Sequence, residues 1–455
     1  MGKYHFIAIG GIGMSGLAKY LLEDGHFVSG SDIQDSKYID ALRNLGAEVS
    51  IGHKEENLPD NVDTVIVSTA IKKSNPELVK AKKLGLKIYH RSDLLKEIAE
   101  SAQNSKKCFI GFAGTHGKTT TSGMASYVLD KSKLEPAFVV GGIVPEINTN
   151  AQHKSGNHFT AELDESDGTL IKYHPDILVI NNLEEDHLDF YKNGMEDIIK
   201  VFNQAISQSK KVLVNADDKG IKNLSGDFIT FGLNQADYTA KNIKTSSEGT
   251  VFDIYKKSEK IAELKIELTG LHNIYNSLAV ASALVESGVD INKIKEHFAT
   301  FTGMGRRFQH VCNLENGVQV YDDYAHHPTE IKATLSALKS ANPDKNLVAV
   351  FQPHRYTRLK AFWNEFKTSF DSADTVIVTD VYSASEDEIE GINSVEFIKG
   401  MNNAQHYQGS MLSVAEKLLP TLKAGDIVVG LGAGTITALG KELQKVKEEK
   451  LCFAK

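Results

Sequence analysis

No run in this chain approaches eighteen apolar residues, so no segment reads as a membrane-crossing helix. A basic segment followed by an apolar one is also missing from the start. The first residues run straight into a strand pattern, and no secretory leader is expected. Cysteine is scarce: Cys108, Cys312 and Cys452 are odd in number and far apart, which excludes a disulfide framework and the spacing of a zinc site. A basic excess is lacking too. With 51 Lys and Arg against 59 Asp and Glu, the formal charge of −8 argues against a nucleic-acid-binding surface. Internal repeats, low-complexity tracts and long linkers are absent. These absences together point to a cytoplasmic globular protein with neither a membrane nor a nucleic-acid partner.

What is present is enough for several cores. The chain has 455 residues, 41% of them hydrophobic, and its length suggests about three domains. Everything is organised around Phe109-Ile110-Gly111-Phe112-Ala113-Gly114-Thr115-His116-Gly117-Lys118-Thr119-Thr120-Thr121. An apolar strand breaks into a glycine turn, and Lys-Thr-Thr-Thr opens a helical stretch over Ser122–Leu129. The full phosphate-loop pattern wants glycine at 112, where Phe stands, so the match is to a shortened form. In such a turn backbone N–H groups and the helix N-terminus face an anion. Lys118 can reach the terminal phosphates and the Thr119 hydroxyl can ligate Mg²⁺. The pattern predicts ATP use.

Strands alternate with helices on both sides of this loop. A strand at 5–10 meets Gly11-Ile12-Gly13-Met14-Ser15-Gly16, and a second strand ends in Asp32, 21 residues after Gly11. That is the dinucleotide fingerprint, but its chemistry, a diphosphate near a helix N-terminus, serves NAD and a UDP-sugar equally. Strands at 65–68 and 86–89 complete a first unit, and the polar run 103–107 reads as its boundary. A second unit contains the phosphate loop, strands at 158–163, 177–180 and 212–214, and an alternating patch at 237–268. A third restarts after Arg306-Arg307-Phe308, with strands at 318–321, 347–351, 375–378 and 427–429. The expectation is α/β with parallel sheets. The domains fall at 1–102, 103–306 and 307–455: Rossmann-like, then a P-loop ATPase with a small antiparallel sheet, then Rossmann-like again.

Chemistry-bearing residues gather at strand ends. Glu162-Leu163-Asp164-Glu165-Ser166-Asp167 puts carboxylates where a nucleotide's Mg²⁺ is held, Glu162 foremost, although a solvated acidic loop has the same composition. Asp186-His187 ends another strand and reads as a metal ligand or a structural hydrogen bonder. Arg306 and Arg307 lie at a hinge, able to swing onto a γ-phosphate or to stay a surface pair. Asp322-Asp323-Tyr324-Ala325-His326-His327 and His354-Arg355-Tyr356-Thr357-Arg358 follow strands of the third unit. There the two arginines, one helical turn apart, can hold a carboxylate or face solvent.

Taken jointly and in order, Gly-Gly-Ile-Gly-Met-Ser-Gly, Gly-Thr-His-Gly-Lys-Thr-Thr-Thr, Glu-x-Asp-Glu-Ser-Asp, Glu-x-Asp-His-x-Asp, Gly-Arg-Arg-Phe, Asp-Asp-Tyr-x-His-His-Pro-Thr-Glu and Gln-Pro-His-Arg-Tyr-Thr-Arg resemble the Mur ligases of peptidoglycan synthesis, and among them the alanine-adding branch. The resemblance covers about residues 5–440. It implies an ATP-dependent ligase that joins L-alanine to the lactyl carboxylate of UDP-N-acetylmuramate through an acyl phosphate, as a monomer or homodimer. By that resemblance Gly11, Gly13 and Gly16, with Asp32 nearby, face the UDP diphosphate. Gly114, Thr115, His116, Gly117, Lys118, Thr119 and Thr120 hold ATP. Thr119, Glu162 and His187 ligate Mg²⁺, Asn273 reads the adenine, Asp323 orients the ribose, and Arg306 or Arg307 meets the γ-phosphate. His326, His354, Arg355 and Arg358 lie near the amino-acid pocket. The lysine that several relatives carbamylate falls near Phe202 here, so that modification is not expected. Ligands spread over three domains imply closure before chemistry. The nearest rival is a recycling ligase that attaches a whole tripeptide to the same nucleotide: the length suits either, but Gln-Pro-His-Arg-Tyr-Thr-Arg resembles the alanine-adding branch better. An NAD-dependent dehydrogenase explains residues 5–32 and nothing after 108.

Overall fold

The computed structural model describes residues 1–188, 190–246, 249–305, 308–314, 317–384 and 386–453. They build three sheets with helices between the strands, the α/β three-domain architecture that the strand–helix alternation predicts. In the first sheet the strands lie in the order Glu48–Ile51, Phe27–Asp32, Lys3–Ile7, Thr64–Val67, Lys87–His90, all parallel. The chain winds outward in both directions from Lys3–Ile7. The crevice at that strand's carboxyl end is therefore a topological switch point, where open α/β sheets take their ligands. The first glycine turn sits there.

The second sheet has ten strands. Cys108–Ala113 and Ile177–Ile180 are its centre, parallel and in register from Ile110 opposite Ile177 to Ala113 opposite Ile180. Their near-continuous apolar sequence suits strands covered on both faces. The antiparallel patch expected beside this sheet is its continuation, through Gly249–Lys256 and Glu259–Ile266 at one edge. The third sheet is parallel except for its edge strand Gln309–Asn313, which pairs antiparallel with Gln319–Asp323.

The chain folds into two compact units. One comprises 1–244, 250–267 and 274–302; the other comprises 245–249, 268–273 and 303–455. Within the first, helix Ile12–Glu23 serves two sheets at once. It buries Met14, Leu17, Ala18 and Leu21, while Tyr20 meets Phe159 of the second sheet at 6.1 Å and Phe159 meets Phe109 at 5.3 Å. One apolar cluster consequently runs from Phe6 of the first sheet to Leu224 behind the second. Truncating a fully buried aromatic such as Phe159 to alanine costs about 3–5 kcal/mol. The second unit has its own cores on the two faces of the third sheet, around Phe351 and around Val428.

Candidate active site

The phosphate loop begins where strand Cys108–Ala113 ends. Gly114 has φ 122° and Gly117 φ 81°, in the left-handed region that side chains avoid. Space excludes a side chain as well: a Cβ on Gly114 falls 2.9 Å from the Asn182 carbonyl oxygen, and one on Gly117 falls 2.8 Å from Asn276 Oδ1. The loop is stapled to the turn after Ile177–Ile180. The Thr115 N–H donates to the Asn182 carbonyl at 3.2 Å and the His116 N–H to Asn182 Oδ1 at 2.7 Å, while Thr115 Oγ1 accepts from the Glu184 N–H at 2.9 Å. The helix runs Lys118–Lys131, starting a turn before Ser122. Two of its hydroxyls are satisfied inside it, Thr121 donating to the Gly117 carbonyl and Ser122 to that of Lys118. Thr119 and Thr120 are first-turn residues of this helix.

Lys118 lies across this loop, its Nζ donating to the Gly114 carbonyl and to Glu165 Oε1, both at 2.8 Å. Burial works against its charge, but the carboxylates of Glu165, Asp164 and Glu162 prevail and hold its pKa above the ordinary value. The three acids differ among themselves. Burial pushes Glu165 up to about 7 against the pull of Lys118, with Asp164 adding to the rise. Its Oε2 is buried without a hydrogen-bond partner among the described residues. Asp164 is also opposed by burial, yet Lys118 and Arg91 hold it far below the usual carboxylate range. Arg91 Nη2 donates to Asp164 Oδ2 at 2.7 Å. Glu162 Oε2 accepts the Gly141 N–H at 2.9 Å. His187 has φ 55°, its N–H donates to Asp186 Oδ1 at 2.7 Å, and its Nε2 lies 3.6 Å from Asp186 Oδ2. Asp189 of the same motif lies outside the described residues.

The first glycine turn is built differently. Gly11 caps helix Ile12–Glu23 at φ −64°, and Asp32 Oδ2 accepts the Gly10 N–H at 2.9 Å. Asp32 thus fixes the turn from the neighbouring strand. Gly13 lies under Arg91, whose Nη1 stands 3.4 Å from where a Cβ on Gly13 would be. Gly16 packs closely against the second sheet. A Cβ there would meet Asn150 Nδ2 at 2.8 Å, and the same amide donates to the Ile12 carbonyl at 2.7 Å, so this glycine permits close packing on strand Thr149–Gln152.

In the second unit, carboxyl ends of the third sheet's strands bring the remaining residues together. The His326 and His354 rings are 6.0 Å apart, and His354 stacks on Tyr382 at 5.4 Å. Arg358 Nη1 is 3.5 Å from His354 Nδ1. Arg355 is not one helical turn from Arg358 along a helix: it caps helix Tyr356–Ala361 at φ 70°, its N–H donates to the Tyr382 carbonyl at 2.8 Å, and its Nε is 3.9 Å from Glu386. Asp323 is 5% exposed, and its carboxylate accepts from Phe308 N–H at 3.0 Å, Ala325 N–H at 2.8 Å and Thr334 Oγ1 at 3.0 Å. Asn273 donates from Nδ2 to the Thr269 carbonyl at 2.8 Å. Arg306 and Arg307 lie outside the described residues.

Several participants carry little sequence signal. Tyr382 and Glu386 sit in a loop without a motif of their own, and Arg91 is a lone arginine after a strand. Glu165 stands within a visible acidic cluster, but only burial separates it from its neighbours.

A chain with a phosphate loop whose lysine is set among strand-end carboxylates, behind a switch-point glycine turn, belongs to the nucleotide-dependent α/β enzymes. Its sequence matches the models of the Mur ligase family catalytic domain over residues 3–103, the Mur ligase middle domain over 112–284, and the Mur ligase, glutamate ligase domain over 306–434. The chain belongs to the Mur ligase family. It is 40% identical over 457 residues to the UDP-N-acetylmuramate–L-alanine ligase of Trichlorobacter lovleyi, covering 97% of this chain and 98% of that one. The solved UDP-N-acetylmuramate–alanine ligase of Thermotoga maritima superposes with a TM-score of 0.83 at 29% identity, over 99% of this chain and all of that one. A murein peptide ligase of Psychrobacter arcticus shares the fold, with a TM-score of 0.73 at 22% identity over 98% of each chain.

Proposed function

We propose that the protein joins L-alanine to the lactyl carboxylate of UDP-N-acetylmuramate with ATP, giving UDP-N-acetylmuramoyl-L-alanine, ADP and phosphate for peptidoglycan synthesis in the cytoplasm. The observation that carries the reading is Lys118, half-buried at the head of a helix beside two left-handed glycines and held by Glu165, in a chain alike throughout to ligases of that name. Labour divides as residues 1–102 for the sugar nucleotide, 103–306 for ATP and 307–455 for the amino acid. No helix among the described residues is long and apolar enough to cross a membrane.

The chemistry explains the cations. A carboxylate has no leaving group, so an amine cannot displace one directly. The terminal phosphoryl of ATP passes to a lactyl oxygen: a new O–P bond forms as the bond to the ADP oxygen breaks. The neutral amine of L-alanine then attacks the acyl carbon, the amide C–N bond forms, phosphate leaves, and the amine's proton goes to solvent. The first step brings two anions together, and Lys118 is placed to neutralise the phosphoryl in transit. The loop fits a triphosphate: its glycines leave no room for side chains, and Glu165 Oε2 is a buried oxygen without a partner among the described residues, beside the ammonium that must turn outward. Thr119, Glu162 and His187 offer an oxygen, oxygen and nitrogen set that would hold Mg²⁺, which supplies charge neutralisation to the phosphates. In the third domain His326, His354, Arg355 and Arg358 form a polar cluster suited to an amino acid's carboxylate.

ADP release tests the reading. With ATP, Mg²⁺ and UDP-N-acetylmuramate present, release is expected to depend on L-alanine and to exceed that with L-Ala-γ-D-Glu-diaminopimelate at equal concentration. Faster release with the tripeptide would instead make the enzyme a recycling ligase with a wider peptide site around Arg355.

A further inference from the structure

We infer that Arg91 is a ligand of the sugar nucleotide's second phosphate, a binding residue that neither glycine motif contains. The inference rests on the first sheet holding a uridine diphosphate sugar. Arg91 opens helix Arg91–Asn104, directly after strand Lys87–His90 of that sheet. Its guanidinium reaches two places. Nη1 stands over Gly13, in the first turn of helix Ile12–Glu23, and Nη2 donates to Asp164 Oδ2 at 2.7 Å. Asp164 is fixed in turn by the Ser166 N–H at 3.1 Å, and it precedes Glu165, the partner of Lys118. Arg91 therefore spans the interval between the glycine turn and the lysine.

The substrate must cross that same interval. Its uridine end belongs to the first sheet and its lactyl carboxylate must reach Lys118, so the group passing Arg91 lies beyond the first phosphate. Hydrogen bonding agrees. Among the described residues the guanidinium makes one hydrogen bond, from Nη2 to Asp164, which leaves both Nη1 hydrogens, beside Gly13, and the second Nη2 hydrogen to donate. A guanidinium held by one carboxylate with its remaining N–H groups presented in a plane is the geometry that grips a phosphate with two parallel bonds. The glycine turn supplies backbone dipoles but no charge of its own. Neither Gly10–Gly16 nor Asp32 is cationic, so Arg91 supplies the positive charge that a diphosphate calls for there. The anchorage is firm: Lys172 Nζ reaches Asp93 Oδ1 at 2.5 Å and Ser92 Oγ at 2.9 Å, tying the start of this helix to the second sheet's turn.

The test compares UDP with UMP, measured by calorimetry on the full-length protein and on Arg91→Ala and Arg91→Lys. In the unaltered protein UDP is expected to bind tighter than UMP. In Arg91→Ala that UDP-over-UMP advantage is expected to fall by about tenfold or more, as loss of a charge-assisted contact requires, with UMP and ATP affinities within about threefold. A residue that only braces the fold would weaken UMP, UDP and ATP together. Arg91→Lys keeps the charge without the fork and is expected to retain part of the advantage; it also serves should Arg91→Ala not fold. An unchanged UDP-over-UMP ratio in either folded variant overturns the inference. Failure of the unaltered protein to distinguish UDP from UMP instead removes the uridine-diphosphate reading of the first sheet, and the inference with it.

Discussion

The chain contains two glycine-rich turns that join a parallel strand to a helix, Gly10–Gly16 and Gly114–Gly117, and they are built on opposite electrostatic plans. The first caps its helix with Gly11 in an ordinary extended conformation, takes a carboxylate from the adjacent strand to fix the Gly10 N–H, and has no charged group in its own sequence. The second forces Gly114 and Gly117 into left-handed backbone and puts a lysine at the first helical position. The acidic side chains of Glu162, Asp164 and Glu165 then hold that ammonium's pKa above its ordinary value. A phosphate that does not react needs no cation within the turn itself. Moving a phosphoryl group needs a cation that can follow it, and a buried cation needs carboxylates to hold it when no phosphate is there.

The largest expected difference between the turns follows directly. Lys118→Ala is expected to lower alanine-dependent ADP release by about a thousandfold or more, the scale seen when one cation is removed from a transferring phosphoryl group. UDP binding, measured by calorimetry, is expected to stay within about threefold. Near-normal turnover in this variant would put the phosphoryl transfer elsewhere, and a comparable loss of UDP affinity would mean that the two turns do not act separately.

How far these turns were legible in the sequence depends on how local their signals are. Strands such as Ile177–Ile180 and Leu347–Phe351 match their predicted residues because continuous apolar runs between polar turns leave no competing reading. The phosphate loop was equally plain, since its spacing is fixed by the backbone alone. Gly16 belongs to the same motif as Gly11 and Gly13, but its close packing on Asn150, 134 positions away in sequence, is not visible from that motif. Asp323 is alike in this: its Oδ2 accepts from Phe308 and Thr334, and neither partner is visible from the motif. Arg355 stood one residue too early for the helix that its spacing with Arg358 suggested. Glu165 could be named within an acidic cluster, but no pattern distinguishes a carboxyl that burial lifts to about 7 from its neighbour Asp164, which two cations hold down.

The backbone difference predicts a smaller effect, on stability. Gly117→Ala puts a side chain at φ 81° with its Cβ 2.8 Å from Asn276 Oδ1, and is expected to cost about 1–3 kcal/mol. Gly11→Ala, at φ −64° with nothing nearer than 3.7 Å, is expected to stay within about 0.5 kcal/mol. Thermal unfolding midpoints of the two variants, without nucleotide, check the ordering. Equal losses would show that the second turn's glycines are not strained as their geometry requires.

The smallest effect separates the carboxylates themselves. Folded Glu165 keeps its proton up to about pH 7, whereas an unfolded glutamate loses it near 4.5, so the folded state binds more protons between those values. Stability contributed by this group is complete below about 4.5 and is lost as the pH rises through 7. Asp164 has the reverse sign: its pKa is depressed, so its contribution is present throughout that window and fades only in stronger acid. Glu165→Gln cannot titrate, which isolates the difference. The stability of the unaltered protein relative to Glu165→Gln is therefore expected to fall between pH 5 and pH 8, measured by denaturant unfolding at each pH. A difference that stays flat, or that grows with pH, would mean that Lys118 keeps Glu165 ionised, so that the second turn holds a fixed ion pair where burial now argues for a shared proton.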